Sequence, residues 1–323
     1  MRAILPSPDG PILQDVSPPT PGPEEVLVRV RAASLNRADL AMLAGAAHGK
    51  VGGAGAPLGL EWAGEIVEVG AAVDAWRVGD RVMAAGGAAF ADYAVGHTRR
   101  IYPVPEGLSF AQAAALPVAL QTMHDAIATN GQLQPGQSVL IQGASTGVGL
   151  MGLQVAKVLG AGLVIGSSTS AERRAQLTTF GADLAIDTRA PDWVDQVKAA
   201  TEGKGADLII DHVAGPVMNP NMRAARVGGR IVNVGRLAGN QGEFDFDLHS
   251  LRRITYVGVT FRTRNAAEVE QINALTRQAL WPALTEGRLR LPVDAVYPLD
   301  RFAEAFARMA QNQHFGKIVL ADA

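Results

Sequence analysis

The sequence predicts an α/β chain of two units, a β-rich one and a doubly wound parallel sheet. Three observations predict it. The 323 residues suggest about two domains on length alone. The N-terminal third carries short alternating segments separated by Pro and Gly, the pattern of a compact β-rich unit. From about Ser109 strands and helices alternate, which implies a parallel sheet with helices on both faces.

The elements follow in order. EVLVRVRAASL places Val26, Val28 and Val30 on one strand face. Segments Gly64–Gly70, Gly79–Ala85 and Phe90–Gly96 follow at close spacing, and the Gly/Ala-rich stretch Gly45–Gly59 reads as a mobile loop. Ser109 to Ile127 reads as helical, divided by Pro117. Strands are then expected at Val139–Gln142, Leu163–Ser167, Leu184–Asp187, Asp207–Asp211, Arg230–Val234 and Ile254–Thr260. Helices between them start at Gly147 and Ala171 and span Asp192–Ala200 and Met218–Arg226. A helix over Ala266–Leu284 and a last strand that rejoins the first unit complete the chain.

Composition narrows the function. Hydrophobic residues make up 48% and charged residues 19%, enough to bury a sizeable core. The net charge of −2, without a block of like charge, advertises neither nucleic acid nor anionic membrane as a partner. The chain has no cysteine, which removes disulfides, thiolate nucleophiles and cysteine-containing zinc sites. The start MRAILPSPDG lacks the apolar core of a signal peptide. The best apolar stretch, Met151–Gly166, is interrupted by Gln154 and Lys157 and is too short to span a membrane. A cytoplasmic location is expected.

The stretch from Val139 to Ala161, VLIQGASTGVGLMGLQVAKVLGA, runs from a strand through glycines into a helix. Glycines let the backbone approach a pyrophosphate, whose charge sits at the helix N-terminus. Gly143, Gly147 and Gly149 follow a G-x-x-x-G-x-G spacing, and the absence of Gly-Lys-Ser/Thr excludes a P-loop. A strand before, a helix after and a second strand at the right distance favour a dinucleotide over a bland turn, and six strands match a dinucleotide-binding fold. An NAD site carries an acid about 20 residues on. Here that place is Ser167, in VIGSSTSAERR, with no acid until Glu172 and with Arg173 and Arg174 beyond it. Small hydroxyls beside a guanidinium suit a 2′-phosphate, so NADPH is expected over NADH; the alternative for both arginines is a solvated helix face.

SLNRADL (Ser34–Leu40), GLEWAGEIVEVG (Gly59–Gly70), GDRV (Gly79–Val82), AAALPVALQT (Ala113–Thr122), GASTGVG (Gly143–Gly149), GAD (Gly181–Asp183) and FGKIVL (Phe315–Leu320) follow one another in this order along the chain. With them the chain resembles, over nearly its whole length, the zinc-independent medium-chain dehydrogenase/reductases of the quinone oxidoreductase group. The resemblance implies a GroES-like catalytic domain from residues 1–122 and 262–323 around a Rossmann-type dinucleotide domain at 123–261. It also implies an NADPH-dependent reductase that is a homodimer. By the same resemblance Asn36 and Leu60 stand where zinc-dependent relatives keep Cys and His. His48, His97, His124, His212, His249 and His314 are scattered without metal-ligand spacing, so no metal site is expected.

Carried over by the resemblance, Ala144, Gly147 and Val148 lie along the pyrophosphate. Ser167 and Arg173 lie near the 2′-phosphate, and Gly235 and Phe261 near the nicotinamide. Phe315, Gly316 and Lys317 belong to the segment that closes over the cofactor. Asn36 and Thr122 border the hydride-transfer site. The chain departs from the family's usual tyrosines at Ala46–Ala47, beside His48, and at Thr188, and carries His124 in place of an aromatic.

A quinone that accepts hydride yields a stabilised phenolate, and a conjugated enone yields an enolate; neither demands a dedicated strong acid. The sequence contains no carboxylate pair or Ser/His/Asp grouping that demands another mechanism. Asn36 is the leading candidate to hydrogen-bond a substrate carbonyl, with Arg262 or Arg264 as further donors. Asp39 and Trp62 read as structural. The expected activity is metal-free hydride transfer from NADPH to a quinone or conjugated enone. The alternatives are reduction of an enoyl thioester or other alkene, and cofactor binding without turnover.

Overall fold

Val26 and Val28 are fully buried on strand Glu25–Ser34, as the alternation predicts, while Val30 is half-buried where the pairing shifts register between Val30 and Ala32. This long strand organises the N-terminal sheet. The computed structural model, which describes residues 1–7, 9–43, 49 and 55–321, orders that sheet as Val293–Tyr297, Lys317–Leu320, Glu25–Ser34, Glu61–Val69, Arg81–Ala85 and Ile101–Pro103. Tyr93–His97 also pairs with Glu25–Ser34. The expected return of the last strand is found: Val319 pairs with Ser34 and Leu320 with Ala33, antiparallel. Trp62, Phe90 and Ile318 are completely buried between the layers, and Phe90 meets Phe306 edge-on at 5.7 Å. Trp62 is therefore core, as expected. Most of the Gly45–Gly59 loop, with Ala46, Ala47 and His48, lies outside the described residues.

The second sheet has six parallel strands: β1 Ser138–Gln142, β2 Leu163–Ser167, β3 Leu184–Ile186, β4 Ala206–Asp211, β5 Ala225–Asn233 and β6 Thr255–Gly258. Their spatial order is β3-β2-β1-β4-β5-β6, the doubly wound order of a dinucleotide-binding domain. Leu140, Ile165, Ile209 and Ile231 fill its centre without exposure. Helix α1 spans Gly147–Val158, α2 Ala171–Ala175, α3 Trp193–Ala200, α4 Met218–Ala224 and α5 Phe246–Arg252. Two differences from expectation are local. Helix α2 is short because a 3₁₀ turn at Leu177–Phe180 follows it and Gly181, at φ 98°, stops it. Helix Pro117–His124 continues as a π-helix over Asp125–Asn130, which hydrophobic periodicity does not reveal.

The chain divides into Met1–Val118 with Phe261–Ala274 and Arg290–Ala323, and Ala119–Thr260 with Leu275–Leu289. The expected boundaries at 122/123 and 261/262 are shifted, and 275–289 joins the parallel-sheet unit. Pro117 starts a new helix ahead of Thr122, and Ala266–Thr285 is one 20-residue helix, about 30 Å long, that runs through the division. Among the described residues no helix is long and apolar enough to cross a membrane.

Candidate functional site

In an open parallel sheet ligands bind at the carboxyl ends of the strands where the order reverses, here between β1 and β4. Gly143 ends β1 at φ 70°, a left-handed conformation that favours glycine. A Cβ on Gly149 would lie 2.6 Å from Gly143 O and 2.7 Å from Ala144 Cα, so glycine alone lets α1 begin this close to the strand. Thr146 caps α1, its Oγ1 accepting from Gly149 N at 3.0 Å. The N–H groups of Gly147 and Val148, at the first two positions of the helix, have no intrahelical acceptor by geometry and carry the positive end of its dipole. That cradle fits a pyrophosphate. Ala144 contributes differently from expectation: its N–H donates to Ser167 O at 2.8 Å and the residue is wholly buried, so it holds the turn and offers no donor. Gly235 follows β5 with its N–H on Asp211 O, and a Cβ there would meet His212 O at 2.6 Å.

Ser167 also departs from its expected role. It is 2% exposed, and its hydroxyl donates to Gln142 Oε1 at 2.7 Å while accepting from Gly143 N at 2.9 Å. A hydroxyl engaged on both sides inside the sheet cannot reach a phosphate. The polar groups past β2 form a separate cluster. Arg173 stands on α2, capped by Ser170. Arg174 Nη1 donates to Ser168 O at 2.9 Å and to Asp187 Oδ2 at 3.1 Å. Arg189, missed in the sequence reading, donates to both carboxylate oxygens of Asp187 and to Thr169 O. These hydrogen bonds from Arg189 hold the Asp187 carboxyl down at about 2. Two guanidiniums thus neutralise one carboxylate, and Arg173 stands on the neighbouring helix. The signal lay in AIDTR, Ala185 to Arg189, at the end of the strand beside β2.

In the other unit Asn36, Glu61 and Lys317 meet. Lys317 Nζ lies 2.5 Å from Glu61 Oε1 and 2.8 Å from Asn36 Oδ1, and Asn36 Nδ2 donates to Glu61 Oε1 at 2.9 Å and to Ser34 O at 3.4 Å. Val118 N caps the remaining carboxylate oxygen at 2.9 Å. One expectation changes here. The Asn36 amide is engaged at both ends and offers no N–H to a substrate carbonyl. The Lys317 head group is buried in this ion pair. Asp39 accepts from Asn36 N at 2.6 Å, and burial, opposed by that bond and by Lys317, raises its carboxyl from 3.8 to about 7. Gly316, at φ 91°, would drive a Cβ to 2.2 Å from Pro292 O, so it serves the strand entry. Phe315 N donates to Asp294 Oδ1 at 3.0 Å. Thr122 lies half-buried in helix Pro117–His124, and half-buried Phe261 opens the segment Phe261–Ala274. Arg264 faces Glu268 at 3.6 Å.

Comparison with known proteins agrees with this architecture. Residues 22–106 match the alcohol dehydrogenase GroES-like domain, and residues 147–277 match the zinc-binding dehydrogenase family. A solved NAD-dependent alcohol dehydrogenase superposes with a TM-score of 0.88 at 28% identity, covering 100% of both chains. A quinone oxidoreductase of Pseudomonas syringae pv. tomato DC3000 superposes with 0.87 at 26%, covering 99% of each. The CurK enoyl reductase gives 0.87 at 25%, covering 99% of this chain and 98% of that one. The mycocerosic acid synthase-like polyketide synthase of Mycolicibacterium smegmatis is 30% identical over 307 residues, which are 93% of this chain and 14% of the relative. The chain thus spans about a seventh of the first curated relatives it matches.

The chain belongs to the medium-chain dehydrogenase/reductase family. Within it the sequence and fold agree with the zinc-independent quinone oxidoreductase group. The zinc of other members does not fit the residues here. Asn36 and Leu60 supply no thiolate or imidazole, and the nearby carboxylate of Glu61 already holds the Lys317 ammonium. Among the described residues no group of three or more His, Cys, Asp or Glu could hold a metal ion.

Proposed function

We propose that the chain is an NADPH-dependent reductase that passes hydride to a quinone or a conjugated enone without metal. The observation that carries the reading is the turn at Gly143–Gly149, whose helix N-terminus accepts a pyrophosphate, followed at the next strand end by arginines instead of a lone acid. Bound NADPH supplies the hydride. Gly147 and Val148 N–H bind its pyrophosphate. Arg173 and Arg189 hold the 2′-phosphate, and Asp187, neutralised by its own arginines, does not repel it. Within the parallel-sheet unit, Thr122 and Gly235 are the residues proposed to border the reacting ring. The acceptor oxygen develops charge stabilised by its own conjugation, which agrees with a site whose best amide, Asn36, is engaged elsewhere.

An enoyl thioester is the second reading. The likeness to an enoyl reductase, at nearly the identity found for a quinone oxidoreductase, supports it. The test is oxidation of NADPH and NADH, side by side, with quinones, enones and enoyl thioesters, with and without chelator. Chelator-insensitive turnover of quinones or enones that prefers NADPH is expected. Turnover confined to thioesters replaces the first reading by the second. NADPH binding without any turnover leaves a binding protein, and no binding removes both readings.

A further inference from the structure

One residue from each of four neighbouring strands forms a buried polar row at the carboxyl edge of the parallel sheet. Asp211 on β4 pairs with Gln142 on β1 and with Asn233 on β5. Ser167 on β2 follows Gly166, which pairs with Ile141, and so stands beside Gln142. Ser167, Gln142, Asp211 and Asn233 are 2%, 0%, 0% and 5% exposed. The row crosses the point where the strand order reverses.

Each member fixes the loop that leaves the sheet beside it. Asp211 Oδ1 accepts from Val213 N at 2.8 Å and Ala214 N at 3.0 Å, shaping the loop after β4. Asn233 Nδ2 donates to Gly235 O at 3.0 Å, shaping the loop after β5. The glycine turn after β1 is held by a longer relay. Asn221, on α4 and completely buried, accepts from Gln142 Nε2 at 2.7 Å. Gln142 Oε1 accepts from the Ser167 hydroxyl at 2.7 Å, and that hydroxyl accepts from Gly143 N at 2.9 Å.

This relay is an expensive way to fill a core. Asn221 Nδ2 is buried with no hydrogen-bond partner, a desolvation cost that an apolar side chain would avoid. What the relay supplies is orientation: two amides and a hydroxyl, each with its direction set by the next, end on the backbone of Gly143. Glycine at that position is free to leave φ 70° unless something holds it.

We propose that Asn221, Gln142 and Ser167 are positioning residues which, through their hydrogen-bonded relay to Gly143 N, hold the glycine turn in its dinucleotide-binding form without touching the dinucleotide. The inference rests on the reading of that turn as the pyrophosphate cradle.

The test uses the full chain. NADPH affinity is measured by fluorescence titration well below the melting temperature, and the melting temperature is measured separately. Asn221→Leu and Ser167→Ala are expected to weaken NADPH by about tenfold, the effect of one lost buried hydrogen bond. Ser167→Thr, which keeps the hydroxyl, restores affinity. Ile231→Val, a core change outside the relay, lowers the melting temperature and leaves affinity unchanged. In the unliganded wild type the Gly143 amide is protected from hydrogen exchange, a readout that needs no variant to fold.

Affinity within twofold of wild type in both Asn221→Leu and Ser167→Ala overturns the positioning role, as does a Gly143 amide that exchanges as fast as an open loop. Wild type that binds neither NADPH nor NADH overturns the cradle itself, and the relay's role with it.

Discussion

The ammonium of Lys317 lies 2.5 Å from the carboxylate of Glu61, with side chains 6% and 0% exposed. Removing one partner leaves a buried charge uncompensated, which costs about 3–5 kcal/mol. Lys317→Met is expected to lose that much stability in urea unfolding, and Lys317→Met with Glu61→Gln to regain most of it. Additive losses in the double variant would show that the pair is not coupled.

Asp39 gives the fold a pH dependence. Burial raises its carboxyl from 3.8 to about 7. Below pH 4 both folded and unfolded chains hold the proton, and between about 4 and 7 the folded chain alone holds it. Stability from this group is therefore present at low pH and lost as pH rises to 7, by on the order of a few kcal/mol. His212, lowered by burial from 6.5 to about 4, acts in the opposite sense over nearly the same window, losing stability as pH falls. The difference between Asp39→Asn and wild type isolates Asp39. The variant gains melting temperature relative to wild type between pH 4 and 7, and parallel profiles would refute the assignment.

Arg173→Glu is expected to weaken NADPH by about tenfold or more, the loss of a charge-assisted hydrogen bond, and NADH by far less. Arg189→Ala acts in the same direction, because it removes a guanidinium and leaves the Asp187 carboxylate with Arg174 alone. Competitive titration of both cofactors against each variant reads the effect. Equal losses for NADPH and NADH would remove the 2′-phosphate from this cluster.

Two glycines in the turn separate packing from binding. Gly149→Ala forces a methyl into the backbone of Gly143 and Ala144 and lowers the melting temperature. Gly147→Val keeps the fold and lowers NADPH affinity, because its side chain stands where the phosphate approaches. Thermal melts and titrations of both variants check the split. Unchanged NADPH affinity in Gly147→Val returns the turn to a bland connection.

The run of alternating strands and helices, the glycine turn and the burial of Trp62 were legible because each follows from local periodicity or a short motif. What the sequence reading missed depends on pairing between distant segments. Asn36 reads as a free amide until Val319 pairs with Ser34 and brings Lys317 beside it from 281 residues away. Ser167 reads as a phosphate ligand until its strand seats beside β1 and its hydroxyl turns to Gln142. Arg189 is invisible as a neighbour of Arg174 until β3 lies next to β2.

The pairing of the last strand with Glu25–Ser34 also sets a timetable for biosynthesis. Glu61 leaves the ribosome 256 residues before Lys317, an interval of about 10–50 s at ordinary translation rates. The stretch Ala119–Thr260 emerges as one continuous run and can complete its sheet during that interval. The N-terminal segment must wait, with an unpaired strand edge and an acid whose counter-charge has yet to be made. Throughout that nascent interval the open edge is a site for misassembly.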